Sequence, residues 1–136
     1  MSASSYRDLE IYQLAKELAV AVHRMSIEVL PKFEMYEEGS QIRRSAKSII
    51  ANIVEGYGRR RHKHEFMQFL TYAVASCDET KCHLEILRET GSLPQSLFEE
   101  LHGKYERLGA QLYKFRESVS IMHSVLREDD LLYHAS

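Results

Sequence analysis

Apolar residues recur along this chain in steps of three and four, a period that predicts helices and leaves no strand pattern to compete. The first stripe is Ile11, Leu14, Ala15, Leu18, Val22, Met25 and Val29, which predicts a helix over about 8–30. Asp8 suits its N-cap or first turn, where a carboxylate meets free amide groups, and Pro31 stops it. Phe33, in the connection that follows, is expected to pack back on the core. A second helix is predicted over about 40–58, with Ser40 as its N-cap behind Gly39. Its apolar face is Ile42, Ala46, Ile49, Ile50, Ile53 and Tyr57, and Arg44, Ser45, Ser48, Asn52, Glu55 and Arg59 fall on the opposite side. Gly56 and Gly58 let this helix end or bend.

The third helix, about 63–90, carries Phe66, Phe69, Leu70, Ala73, Cys77, Thr80, Leu84 and Leu87 on its inner face. The small residues in the middle of that stripe allow close approach by a neighbouring helix. Gly91-Ser92 forms a stop, and Pro94 fits the first turn of a fourth helix over about 94–127. There Leu97, Leu101, Tyr105, Leu108, Leu112, Phe115, Val119, Met122 and Leu126 follow steps of three and four, averaging 3.5 residues from Tyr105 onward, the seam of left-handed bundle packing. Fraying is expected beyond it, from Glu128 to the end. Four amphipathic helices with short connections make an all-α, antiparallel up-and-down four-helix bundle, a single domain over 1–136.

Composition agrees with this. A 136-residue chain buries roughly 68–70% of its unfolded surface and needs no disulfide or metal staple. With two prolines and six glycines in the whole chain, long helices meet few breakers. Cys77 and Cys82 point to different sides of one helix, so no internal disulfide is expected, and both read as reduced and mostly buried. No apolar signal core opens the chain, and the longest uncharged run, 66–77, is too short to span a bilayer. A cytoplasmic protein with no membrane partner is expected.

Charge changes the picture more. The net charge of −2 hides a basic middle: residues 40–64 hold Arg43, Arg44, Lys47, Arg59, Arg60, Arg61 and Lys63 against Glu55 alone, while both flanks are acidic. With His62 and His64, these residues form a candidate nucleic-acid-binding surface, in which Arg and Lys neutralise phosphates and the glycines let the chain lie close. Tyr57 beside them is either a base-stacking platform or an anchor for the loop. Ser48, Asn52, Glu55 and Tyr57 read as a subunit or interhelix polar network. Glu55 and Arg59 stand at i,i+4, and so do Ser48 and Asn52.

An enzymatic reading is weak. Glu55 has no second carboxylate or histidine at short spacing, and no Walker loop, dinucleotide glycine pattern or Ser-His-Asp order appears. The spacings Glu99/His102 and Glu79/His83 do not make a set of three or four metal ligands. Neither metal nor cofactor is expected.

The second helix then reaches a recognisable signature. Residues 48–59, SIIANIVEGYGR, resemble that of the four-helix-bundle proteins encoded in bacterial 23S ribosomal RNA intervening sequences, a family also labelled S23 ribosomal protein. Residues 8–15 resemble the family's opening segment, 40–46 the start of its second helix, and Glu65-Phe66 with Phe69-Leu70 the start of its third. Ile50 stands where the family often has proline, and Ser76-Cys77-Asp78 where it usually has Gly-Ser-Leu. The resemblance covers about 8–126. It implies a homopentameric ring without enzymatic activity, and kinship with the accessory variability protein of diversity-generating retroelements. The expectation is a non-enzymatic oligomeric bundle that binds RNA or DNA. The alternative is a scaffold whose charged residues serve ring assembly or an acidic protein partner.

Overall fold

A computed structural model describes residues 5–125. Within them lie four long helices and no strand: α1 (Glu10–Glu28), α2 (Glu38–Gly58), α3 (Lys63–Glu89) and α4 (Gln95–Val125). Helix α1 packs on α2, α2 on α3 and α3 on α4, and α4 closes the ring against α1. Short connections force consecutive helices to run antiparallel, so the architecture is the up-and-down four-helix bundle. The segments 29–37 and 90–94 share one end. Residues 59–62 cap the other, beside the start of α1 and the last turns of α4.

The stripes that predicted the helices supply the core. Leu18, Val22, Ile42, Ile49, Ile53, Phe66, Leu70, Leu84, Leu87, Leu108 and Leu112 are all buried. Each such aliphatic or aromatic side chain contributes about 1.5–3 kcal/mol relative to exposure. The small stripe of α3 lets its neighbours come close. Cys77 Sγ reaches the backbone carbonyl of Tyr105 on α4 at 3.3 Å, and Thr80 donates to Ser45 Oγ on α2 at 2.8 Å. Helix α3 ends in a Schellman turn. Gly91 takes a φ of +83°, Ser92 N–H bonds to Leu87 C=O and Gly91 N–H to Arg88 C=O. That turn is latched to the other connection at this end by Ser92 Oγ, which donates to the buried carboxylate of Glu34 at 2.6 Å.

Several local expectations are corrected. A separate 3-10 turn, Tyr6–Asp8, capped by the Ser5 hydroxyl, takes Asp8 out of α1, whose N-cap is Leu9. Val29 lies past the end of α1 and is exposed. Phe33 is 70% exposed rather than packed on the core, because Glu34 beside it turns inward to Ser92 instead. Helix α2 begins at Glu38, one turn too early for Ser40 to cap it. Helix α4 begins at Gln95, with Pro94 contributing the carbonyl that accepts from Phe98 N–H. Cys82 is exposed, and both cysteines are free. Leu126, the end of the last helix expected at 127, and the acidic stretch from Glu128 lie outside the described residues.

Candidate nucleic-acid interface

Helix α2 delivers its last turn, Val54 to Gly58, to the end of the bundle, and the chain must reverse within residues 59–62 to start α3. The reversal is held by backbone bonds from Arg59 N–H to Gly56 C=O, Arg60 N–H to Tyr57 C=O and His62 N–H to Arg59 C=O. Gly56 makes the tight crossing possible: a Cβ there would sit 3.0 Å from the Cβ of Phe69 and 3.4 Å from the Phe66 ring.

The basic residues of 40–64 are not one surface. Arg43 faces inward, and its two terminal nitrogens donate to Ser26 Oγ on α1 at 2.9 Å and to the Met35 carbonyl at 2.8 Å. It is a brace for the α1–α2 connection, which corrects its assignment to a phosphate-binding surface. Arg59 lies between two carboxylates, Glu55 at 2.7 Å and Glu65 at 3.2 Å, with its guanidinium 5.1 Å from the Phe69 ring centre. Its charge is locally neutralised. Arg60 folds back over the Tyr57 ring at 4.2 Å and donates to the Tyr57 carbonyl at 3.0 Å, while its Nε is buried with no partner among the described residues. Tyr57, itself 4% exposed, is thereby covered and offers no face to a base. Arg61, His62 and His64 are exposed, and Lys63 is half-buried at the start of α3. Arg44 and Lys47 are also exposed. They stand back along α2, however, with Lys47 about 18 Å from Arg59 at 1.5 Å per residue.

The polar residues of α2 fall into two groups. Ser48 Oγ shares a hydrogen bond with Ser76 Oγ of α3 at 2.9 Å, and Asn52 donates to the Ser48 carbonyl at 2.9 Å and to its hydroxyl at 3.2 Å. Ser45, expected on the outer side of α2, is buried and accepts from Thr80, which donates also to the Ser76 carbonyl. This set lies inside one bundle, between α2 and α3. Glu55 belongs instead to the Arg59 bridge at the surface.

Two histidines outside the basic run pair with carboxylates. His83 bonds Glu38 at 2.6 Å and faces Glu79 at 3.3 Å, and His102 bonds Glu85 at 2.8 Å rather than joining Glu99. Among the described residues no three His, Cys, Asp or Glu side chains are arranged to hold a metal ion. Burial pushes the Cys77 thiol up to about 11, so it packs as a neutral group and not as a nucleophile. No described helix is long and apolar enough to cross a membrane.

Residues outside the basic run complete this end of the molecule. Tyr72, Gln68 and Arg116 border the surface that begins at Lys63 and His64. Tyr72 carried a sequence signal, since it lies two helical turns after His64 on the same side of α3. Arg116 carried none, because its place beside Thr71 depends on how α4 packs.

The comparisons with known proteins agree with this architecture. The family model described as 23S rRNA-intervening sequence protein matches residues 7–114. A crystal structure of a protein with unknown function from the S23 ribosomal protein family of Bacteroides thetaiotaomicron superposes with a TM-score of 0.70 at 22% identity. The superposition covers 79% of this chain and 95% of that one, and at this identity it speaks for the fold. No curated protein gives a match. On the family match over most of its length and the bundle it shares with that structure, this chain belongs to the 23S rRNA-intervening sequence protein family.

Proposed function

We propose that this protein is a non-enzymatic, cytoplasmic homo-oligomer that binds RNA or DNA through the basic end of its bundle. The observation that carries this reading is the exposure of Arg61, His62 and His64 together at the α2–α3 turn, in a chain whose net charge is −2. An exposed arginine at a bundle end, with Lys63 beside it and two imidazoles that can hydrogen-bond a phosphate oxygen, suits a phosphate backbone. Arg44 and Lys47 form a second, separate basic position on α2. The pentameric ring implied by the family resemblance multiplies these sites, so weak contacts become avid. Filter binding at low and moderate salt tests the reading. Replacing Arg61 and His62 by alanine weakens binding and flattens the salt dependence, the slope falling by about 0.7–0.9 for each phosphate that the variant no longer neutralises. Unchanged affinity across the salt series overturns it.

A second reading has its own observation. Phe33 (70% exposed) and Tyr36 (88% exposed) project from the opposite end, beside Glu37 and Glu38. Exposed aromatics with an acidic rim suit a protein interface, as does the internal use of Arg43 and Arg59. Under this reading the acidic rim pairs with basic residues of a neighbouring subunit, or the basic residues pair with an acidic protein partner, and high salt dissociates the oligomer.

A further inference from the structure

We infer that the groove between the first half of α3 and the last turns of α4 is a binding site for single-stranded nucleic acid, with Tyr72 as its base-stacking platform and Arg116 as a phosphate contact. The inference rests on the reading of the basic end as a phosphate-binding surface, and it names the form of nucleic acid that surface takes.

The groove encloses about 700 Å³ and opens directly from the α2–α3 turn. Lys63 and His64 stand at its mouth, Gln68, Thr71 and Tyr72 follow on the same side of α3, and Arg116 closes it from α4. Tyr72 is 45% exposed, yet its ring is fixed at two points. It packs edge-to-face on Phe69 with centroids 5.8 Å apart at 88°, and its hydroxyl accepts from Gln68 Nε2 at 2.7 Å. An aromatic side chain held this way loses little freedom when a base stacks on it. Phe69 in turn lies under the Arg59 guanidinium, so the platform is continuous with the basic turn.

Arg116 is oriented in the same manner. Its Nε–H donates to Thr71 Oγ1 at 2.8 Å, and Thr71 donates to the Met67 carbonyl at 2.9 Å. Glu117 makes only a long 3.7 Å ion pair with it from a half-exposed position, and the Arg116 side chain stays 31% exposed. A phosphate placed there meets a guanidinium whose direction is already set.

The charge and shape favour one occupant. From His64 to Tyr72 is about 12 Å along the helix, room for roughly three nucleotides at a stacked spacing of about 3.4 Å. Lys63 and Arg116 supply positive charge to the groove, and Gln68 and Tyr72 supply an amide and an aromatic ring, the combination that tracks a backbone while receiving unpaired bases. A duplex keeps its base faces stacked inside and presents phosphates and base edges, so it gains no stacking on Tyr72.

Fluorescence anisotropy with labelled single-stranded RNA, single-stranded DNA of the same sequence, and the corresponding duplex tests this on the full-length protein. Tyr72→Ala weakens single-strand binding about ten-fold, the scale of one base–aromatic stack, with an unchanged salt slope and unchanged duplex binding. Tyr72→Phe keeps the ring and retains most of the affinity. Arg116→Gln weakens binding and lowers the single-strand salt slope by about 0.7. Circular dichroism and thermal melts verify that each variant is folded. Stronger binding to the RNA arm places a 2′-hydroxyl contact in the groove, and equal binding assigns recognition to base and phosphate; either supports the site. If single-strand binding survives Tyr72→Ala while Arg61→Ala abolishes it, the groove is wrong and the basic-end reading stands. Preference of the wild-type protein for duplex also overturns the groove. If the wild-type protein binds none of the three, both readings fall.

Discussion

Gly56 is the point at which packing and the candidate interface meet, and its replacement by alanine makes a quantitative test. Two effects oppose each other. In a helix interior alanine is favoured over glycine by about 1 kcal/mol. Against that, the new Cβ of Gly56→Ala lies 3.0 Å from the Phe69 Cβ and 3.5 Å from the Phe66 carbonyl oxygen. Carbon pairs rest at about 3.5–4.0 Å, so α2 and α3 must separate by about half an ångström or more. The Phe69 Cβ is fixed to the α3 backbone and cannot swing aside. Overpacking of this kind costs about 1–3 kcal/mol, which leaves Gly56→Ala about 1 kcal/mol less stable than the natural protein.

Gly58→Ala is the matched control. Nothing lies within 4 Å of a Cβ at Gly58, and its φ is not in the left-handed region. There the alanine gain survives in part, about 0.5 kcal/mol at the end of the helix. Both variants make the same change to the unfolded chain, so their difference isolates the native packing at Gly56. Urea unfolding followed by circular dichroism should separate them by roughly 1.5 kcal/mol, and thermal melts by about 4–6 °C. Equal stability of the two variants would refute the argument that α2 and α3 approach closely enough at Gly56 to exclude a methyl group. Gly56→Ala should also displace Phe69, and with it the ring that supports Tyr72.

Arg43→Ala removes both hydrogen bonds that brace the α1–α2 connection and should cost about 2 kcal/mol in urea unfolding. Nucleic-acid affinity should stay the same, and a loss of binding in the folded variant would return Arg43 to the interface. Tyr105 is fully buried between α3 and α4, and its hydroxyl has no hydrogen-bond partner among the described residues. Burial pushes that phenol well above its ordinary pKa. Tyr105→Phe deletes the unsatisfied group without opening a cavity and should raise stability by roughly 1 kcal/mol, whereas a lower melting temperature would contradict this.

Much of this protein is legible from residue order alone. Helix type and number follow from apolar steps of three and four, because burial of one face is a one-dimensional constraint on a 3.6-residue period. The turn at Gly91 and the reversal at 59–62 follow from local backbone chemistry, and short connections then leave an antiparallel bundle as the simplest arrangement. Family membership too was readable from 48–59, where the signature is contiguous.

What a side chain does at the surface or in the core was not legible in the same way. Arg43 and Arg44 are neighbours in sequence, yet one is internal and the other exposed, because a single step around α2 turns Arg43 towards Ser26, seventeen residues earlier. Ser45 reads as outward by its polarity and is buried, because Thr80 on α3, thirty-five residues away, satisfies its hydroxyl. The basic run looked uniform, but Glu55, Glu65 and Tyr57 take up Arg59 and Arg60 and leave Arg61, His62 and His64 facing solvent. The Tyr72 groove needed α4 to place Arg116 against Thr71 across forty-five residues. Residue order determines which face of each helix is apolar. Only the packing of the four helices decides which polar partners meet, because hydrogen bonds and ion pairs act over about 3 Å and depend on the register of the helices that carry them.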